Sequence, residues 1–476
     1  MTQIYEAQYT PASLKSHRAN PLIEALPDYV DWNPREIMVK LFKKPEPTDV
    51  QATRRQLIAW LQELPANLFI PTKRQYTAFL TIDLLIRQGY VLRNPLTALR
   101  ARYLKESYAR LQQGEKVLES TFEEEVHEQL TACIIGASGM GKTRTVERIL
   151  SLYPQLIMHR REMLGSPFLQ IVYLHVECPD NGSVIALCKN ILAEIDRLTG
   201  EDYRTKFKIT DRTTLETLKS TLVHVLALHY VGIIVIDEVQ NLAAKTKNRE
   251  DLFNFIVSLS NSLNVPLLFL CTPKIYGFLT SNARTARRFG TRGCMVWSPL
   301  KKDSSEWETI RKELWKCSKL QQDPPEIPAM IENSLYEKSG GIIEILLKLF
   351  ILAQVRVLIV SAHKDKPCEQ KLTTLVIEQV FEEFFQNMKP ILRLLANADL
   401  PALQKLEDLV IPDDMVRMVQ QIRQESNPGP EALRGSEDQR DWDASETLRG
   451  GLQFAGEDLP DIVRDIGQKF MTSQQG

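Results

Sequence analysis

The sequence predicts an α/β fold: a five-stranded parallel sheet that carries the chemistry, a helical N-terminal extension before it and a helical lid after it. Three observations lead there. From about residue 130, short apolar β-branched runs alternate with helical patterns, as in a sheet covered by helices. A Gly-rich turn ending in Lys142-Thr143 separates the first such run from a helix, and a later run ends in adjacent carboxylates, Asp237 and Glu238.

Residues 1–110 are rich in proline and carry short amphipathic helical patterns, such as Ala52 to Leu64, where Leu57, Ile58, Leu61 and Leu64 recur at helical spacing. No catalytic constellation lies there, so this extension is expected to dock a partner. The core, residues 111–300, contains strands predicted at Leu130 to Ile135, Ile171 to Val176, Ile233 to Asp237, Leu267 to Thr272 and Gly293 to Trp297, each too short for an apolar helix. Helices are predicted at Arg144 to Leu152 and Leu215 to His229. Residues 301–390 read as wholly helical, including Glu306 to Leu320 and Ile342 to Val360, and form the lid. A C-terminal helix and an acidic tail fill 391–476; from Asn427 the tail is turn-rich, with ten acids against five bases, too polar to bury a core.

The 476 residues allow about three structural units. With 43% apolar and 25% charged residues, a largely disordered chain is excluded. A net charge of −1 means that any polyanion must be met by a local patch. The seven cysteines are odd in number, with no CxxC pair, which argues against a disulfide framework or a zinc ribbon. The seven histidines show no metal-ligand spacing and read as core or surface residues, His175 beside Cys178 included. The opening Met-Thr-Gln-Ile-Tyr-Glu has no basic, apolar leader, so a cytoplasmic protein is expected. No membrane partner is expected either: the apolar run Ile342 to Ala362 is broken by Glu344, Lys348, Gln354 and Arg356 and reads as a core helix.

Gly136-Ala-Ser138-Gly139-Met140-Gly141-Lys142-Thr143 matches G-x-x-x-x-G-K-[ST] between a predicted strand and a helix beginning near Arg144. Glycines let the backbone curl so that successive amides, backed by the helix dipole, surround a phosphate. Lys142 adds a positive charge, and the Thr143 hydroxyl is expected to coordinate Mg2+. Asp237 would hold that metal through water, and Glu238 would polarise the attacking water as general base. The plain alternatives are a ligand-free strand–helix turn and a carboxylate that only caps a helix. Thr272, ending the fourth run, either orients water or the γ-phosphate or caps the next turn.

Arg284, Arg287, Arg288 and Arg292 crowd nine positions before the fifth strand. Three readings stand: one of these arginines as a finger reaching a neighbouring subunit; contact with DNA phosphates; or a solvated basic face. Sequence-nonspecific contact with double-stranded DNA is assigned to Lys206, Lys208, Arg212 and Thr213, and to Lys245 and Lys247, where a solvated loop is the competing reading.

Together these residues resemble the TnsC/TniB family, AAA+ regulators of bacterial transposition. The resemblance is carried by Gly136 to Thr143, Asp237-Glu238-Val239-Gln240-Asn241-Leu242, Cys271-Thr272-Pro273, Arg287-Arg288-Phe289 and Ser339-Gly340-Gly341-Ile342-Ile343. Upstream, His17 to Pro27 and Gly89 to Pro95 look like the N-terminal segment of longer TnsC members, so the resemblance covers most of residues 15–390. It implies an AAA+ P-loop NTPase fold and an ATPase in the bacterial cytoplasm that uses ATP and Mg2+. Such a protein assembles into a ring or filament on DNA, accepts a target selector of the TniQ/TnsD kind, recruits transposase subunits of the TnsA/TnsB kind, and disassembles on hydrolysis. By match, Lys142 and Thr143 carry nucleotide and metal, Asp237 and Glu238 the hydrolytic site, Thr272 the sensor role and Arg287 or Arg288 the finger. One departure stands: AAA+ lids often place an arginine after the Gly-Gly turn, and this chain has Glu344 and Lys348. The rival readings are a replication-initiator-like ATPase and a nucleotide-driven signalling scaffold that never meets DNA.

Overall fold

The computed structural model describes residues 3–29, 32–49, 51–91, 93–113, 130–160, 166–243, 265–275, 289–361, 370–385 and 388–389. Arg284, Arg287, Arg288, Lys245, Lys247 and the acidic tail lie outside them. In chain order the elements begin with β1 (Ile4–Glu6), α1 (Pro21–Glu24), α2 (Pro34–Leu41), α3 (Arg54–Asn67), α4 (Lys73–Val91) and α5 (Ala98–Gln112). The sheet region follows with β2 (Thr131–Gly136), α6 (Lys142–Leu150), β3 (Leu156–His159), β4 (Phe168–Ile171), β5 (Tyr173–Glu177), α7 (Val184–Thr199), α8 (Tyr203–Lys206) and α9 (Leu215–Leu228). Then come β6 (Ile233–Asp237), α10 (Gln240–Ala243), β7 (Leu267–Cys271), β8 (Cys294–Trp297), α11 (Ser305–Trp315), α12 (Ala329–Ser339), α13 (Ile343–Val360) and α14 (Thr374–Phe384). Two compact units result: residues 1–31 with 77–298, and residues 32–76 with 299 onward.

The first unit is built on a five-stranded, all-parallel sheet of order β5-β6-β7-β2-β8. The central strands β2, β6 and β7 are buried at every position, which is why they read as unbroken apolar runs. The edge strands β5 and β8 mix buried and exposed positions. Helices α7 and α9 bury Leu187, Ile191, Ile195, Leu218, Leu222 and Val225 against this sheet. Each starts on a hydroxyl cap: Ser183 accepts from the Ala186 amide and Thr214 from the Thr217 amide.

A second sheet, of order β1-β3-β4, was not predicted. Its strands span three or four residues, too short to show a period. Ile171, read as the start of a core strand, instead ends β4 opposite Leu156, and the core strand starts at Tyr173.

The cysteine expectation is corrected as well. Cys133 of β2 and Cys294 of β8 are register partners, their Cα atoms 4.7 Å apart, and they form a disulfide. Count and CxxC spacing are blind to cysteines 161 residues apart that a parallel register brings face to face. Cys178, Cys188, Cys271 and Cys317 are free and buried.

The upstream stretches His17–Pro27 and Gly89–Pro95 lock together. The Asn20 side chain donates to the Tyr90 carbonyl at 2.7 Å and that of Asn94 to the Ala19 carbonyl at 3.0 Å. Buried Arg93 donates to the carbonyls of Gly89, Val231 and Gly232, tying this segment to the entry of β6. Gly232 is required there, because a Cβ would come within 2.3 Å of the Val172 carbonyl oxygen.

In the second unit α13 packs against α3, α12 and α14. Arg74 and Glu306 form a sheltered ion pair at 2.9 Å, and the Thr72 hydroxyl also donates to Glu306 at 2.7 Å. Burial works to raise the Glu306 carboxyl, but the bonds and charge of Arg74 outweigh it and hold the carboxyl below its ordinary value. After α12, Gly340 and Gly341 both take positive φ, and the Gly341 carbonyl accepts from the Leu300 amide at 3.0 Å. Among the described residues no helix is long and apolar enough to cross a membrane.

Candidate active site

Sheet order sets the site. β7 lies between β2 and β6, so the carboxyl edge brings the loop 136–143, Thr272 and the Asp237-Glu238 pair side by side. The loop leaves β2 at Gly136 and turns through Gly139 at φ 82° and Gly141 at φ 80°, conformations natural to glycine. Gly141 caps α6 without a side-chain acceptor, leaving the first amides of the helix without an intrahelical partner, the arrangement that receives an anion. Met140 is buried, Ser138 exposed and Arg144 half-buried.

Lys142 is buried, and its Nζ donates to the carbonyls of Gly136 at 2.6 Å and Ala137 at 3.1 Å. Burial lowers its pKa, while the charges of Glu238 and Asp237 work in the opposite direction. Thr143 Oγ1 donates to Asp237 Oδ2 at 2.6 Å. Burial works to raise the Asp237 carboxyl, but the His175 ring facing it, together with hydrogen bonds from Thr143 and the Glu238 amide, holds it below its ordinary value. His175 Nε2 stands 3.7 Å from Asp237 Oδ2. A hydroxyl and a carboxylate with lowered pKa are hard oxygen donors, suited to Mg2+.

Glu238 has φ 54°, unusual for a residue with a side chain. Its amide donates to Asp237 Oδ1 at 2.8 Å, and its Oε2 accepts from the Gln240 carboxamide. Gln240 Oε1 in turn accepts from the Thr272 amide at 3.0 Å. The Thr272 hydroxyl is buried with no hydrogen-bond partner among the described residues, so it caps no turn there.

Residues 125–279 match the family model described as an AAA domain. The AAA domain therefore contains the whole constellation, from Gly136 to Thr272, and the fold is that of an AAA+ P-loop NTPase. No curated protein sequence matches the chain. Among solved structures it is similar to the Orc1 protein of Aeropyrum pernix in complex with DNA, at 16% identity over 75% of this chain and 82% of that one, with a TM-score of 0.36. Cdc6p from Pyrobaculum aerophilum gives 15% identity over 59% and 67% at TM-score 0.35. Domain III of the Thermotoga maritima replication initiation protein DnaA gives 14% identity over 61% and 94% at TM-score 0.31.

In sequence His175 reads as a core or surface residue and Gln240 carries no role. Their signals were weak: an isolated histidine one strand away from Asp237, and an amide two positions after Glu238. Lys206 pairs with Glu201 and lies 5.2 Å from the Tyr203 ring centre, and the Thr213 hydroxyl accepts from the Thr210 amide at 2.8 Å. Lys208 and Arg212 are exposed. Phe289 stacks on Phe269 of β7 at 4.3 Å. In the second unit Lys348 pairs with Glu344 on α13.

Proposed function

We propose that this protein is an ATP-hydrolysing AAA+ assembly factor that polymerises on double-stranded DNA and couples target selection to transposase recruitment. The observation that carries the hydrolytic part is the junction of Thr143, Asp237 and Glu238 beside the glycine-rich turn. Lys142 and the first amides of α6 bind the β- and γ-phosphates. Thr143 and Asp237 hold Mg2+, which when bound neutralises charge developing on the phosphate oxygens. Glu238 accepts the proton of the attacking water, and Thr272 orients that water or the γ-phosphate. Arg287 or Arg288 of a neighbouring subunit completes the site.

The DNA and transposition parts rest on the sequence resemblance to TnsC/TniB proteins and on the exposed basic residues Lys208 and Arg212. In this reading Lys206, Thr213, Lys245 and Lys247 add backbone contacts, and the first 110 residues and the acidic tail receive the partners, a target selector of the TniQ/TnsD kind and transposase of the TnsA/TnsB kind. Negative-stain imaging of the protein with a plain duplex tests the reading. Rings or filaments are expected with ATP and not with ADP, persisting longer in Glu238→Gln. Oligomers indifferent to DNA would favour the scaffold, and loss of assembly in Glu238→Gln would refute hydrolysis-driven disassembly.

A further inference from the structure

We infer that Gln240 is a positioning residue for hydrolysis: it holds Glu238 by one carboxylate oxygen and ties it to the end of β7 at Thr272. The inference deepens the proposed function and rests on Glu238 acting as the base. Gln240 opens α10 and is buried. Its Nε2 donates to Glu238 Oε2 and its Oε1 accepts from the Thr272 amide at 3.0 Å. A carboxamide suits this place because it donates at one end and accepts at the other; a carboxylate only accepts, and an apolar side chain does neither.

The backbone is shaped around the same contact. Glu238 adopts its left-handed φ of 54° while the Asn241 amide donates to the Glu238 carbonyl at 3.0 Å and the Val239 amide to the Leu270 carbonyl at 3.2 Å. A side-chain-bearing residue seldom occupies that region, and such strain clusters where geometry serves function. The turn sets the Glu238 carboxylate against the Gln240 amide, at the end of the strand that leads to Thr272.

In the reaction the water oxygen bonds to the γ-phosphorus, the bond to the β,γ-bridging oxygen breaks with its electron pair going to ADP, and a water proton passes to Glu238. The Thr272 amide is committed to Gln240 while its hydroxyl has no partner among the described residues. A ligand met by that hydroxyl therefore acts at a residue already bonded, through Gln240, to the base.

The test is steady-state ATP turnover, with nucleotide affinity and melting temperature, for the full chain and for Gln240→Ala, Gln240→Glu, Glu238→Gln and the double variant Glu238→Gln/Gln240→Ala. Misplacing a reacting group costs on the order of 100-fold, so kcat should fall roughly 10- to 100-fold in both Gln240 variants, with ATP affinity unchanged. In the Glu238→Gln background the Gln240→Ala change should cost nothing further. Turnover in Gln240→Ala within about twofold of wild type, or a full additional loss in the double variant, overturns the inference alone. Full activity in Gln240→Glu, which keeps the acceptor and loses the donor, does the same. Absence of turnover in the wild-type chain overturns the proposed function and this inference with it.

Discussion

Thr143 and Asp237, 94 residues apart in sequence, meet through a 2.6 Å hydrogen bond from Oγ1 to Oδ2. This contact ties the first turn of α6 to the end of β6, and both atoms are ligands suited to Mg2+. Removing a group at a metal site costs about 10- to 100-fold in metal affinity, so Thr143→Ala should weaken Mg2+-dependent nucleotide binding roughly 10- to 100-fold, and Thr143→Ser should restore most of it. Titrating Mg2+ against a fluorescent ATP analogue checks this. An unchanged Mg2+ requirement in Thr143→Ala would remove Thr143 from the metal site.

The residues of this contact were legible in sequence because Asp237 ends one short, unbroken apolar run and Thr143 closes the glycine-rich turn that follows another, β2 and β6 being buried on both faces. What was not legible depends on register or on single side chains. The β1-β3-β4 sheet has strands too short for a period. The Cys133–Cys294 bond follows from the register of β2 and β8, which no local pattern encodes. Gln240 stood in plain view after Asp237-Glu238, yet its role needs the Thr272 amide, 32 residues on and one strand across.

The Gly340-Gly341 turn yields a prediction for the helical unit. Gly341 has φ 75°, and a Cβ there would lie 2.2 Å from the Leu300 carbonyl oxygen. Gly340 has φ 58°. A left-handed conformation costs a side-chain-bearing residue about 1–2 kcal/mol. Gly340→Ala should cost that much, while Gly341→Ala should exceed it because backbone must also move. Urea unfolding of the two variants should rank them in that order, and the reverse ranking would contradict the close approach to Leu300.

The Arg74–Glu306 pair predicts a pH dependence. Its carboxyl has a folded-state pKa below the unfolded value, so the group adds stability above the ordinary Glu range, about 4.3. That stability is lost as the pH falls through the lowered folded value. Glu306→Gln should therefore destabilise the protein by about 1.5–3 kcal/mol at pH 7. The gap between wild type and variant should narrow on acidification below the ordinary Glu range. Urea midpoints at neutral and acidic pH read this directly; a gap that widens toward acid would mean that the pair does not favour the charged carboxylate.

Arg93 makes the last prediction. It is 2% exposed, and its guanidinium donates to the carbonyls of Gly89, Val231 and Gly232 while lying 5.0 Å from the Tyr90 ring centre. Each buried carbonyl left without its donor costs about 1–3 kcal/mol, so Arg93→Ala should destabilise the sheet unit by several kcal/mol, among the larger effects of a single substitution. A lysine offers one point of charge in place of a planar fork and should recover less than half of the loss. The consequence reaches the active site, because Val231 and Gly232 lead into β6, whose far end carries Asp237. Below the melting temperature, Arg93→Ala should still bind ATP more weakly than wild type. If Arg93→Lys matched wild type in melting temperature and ATP affinity, the fork would not be what anchors the entry of β6.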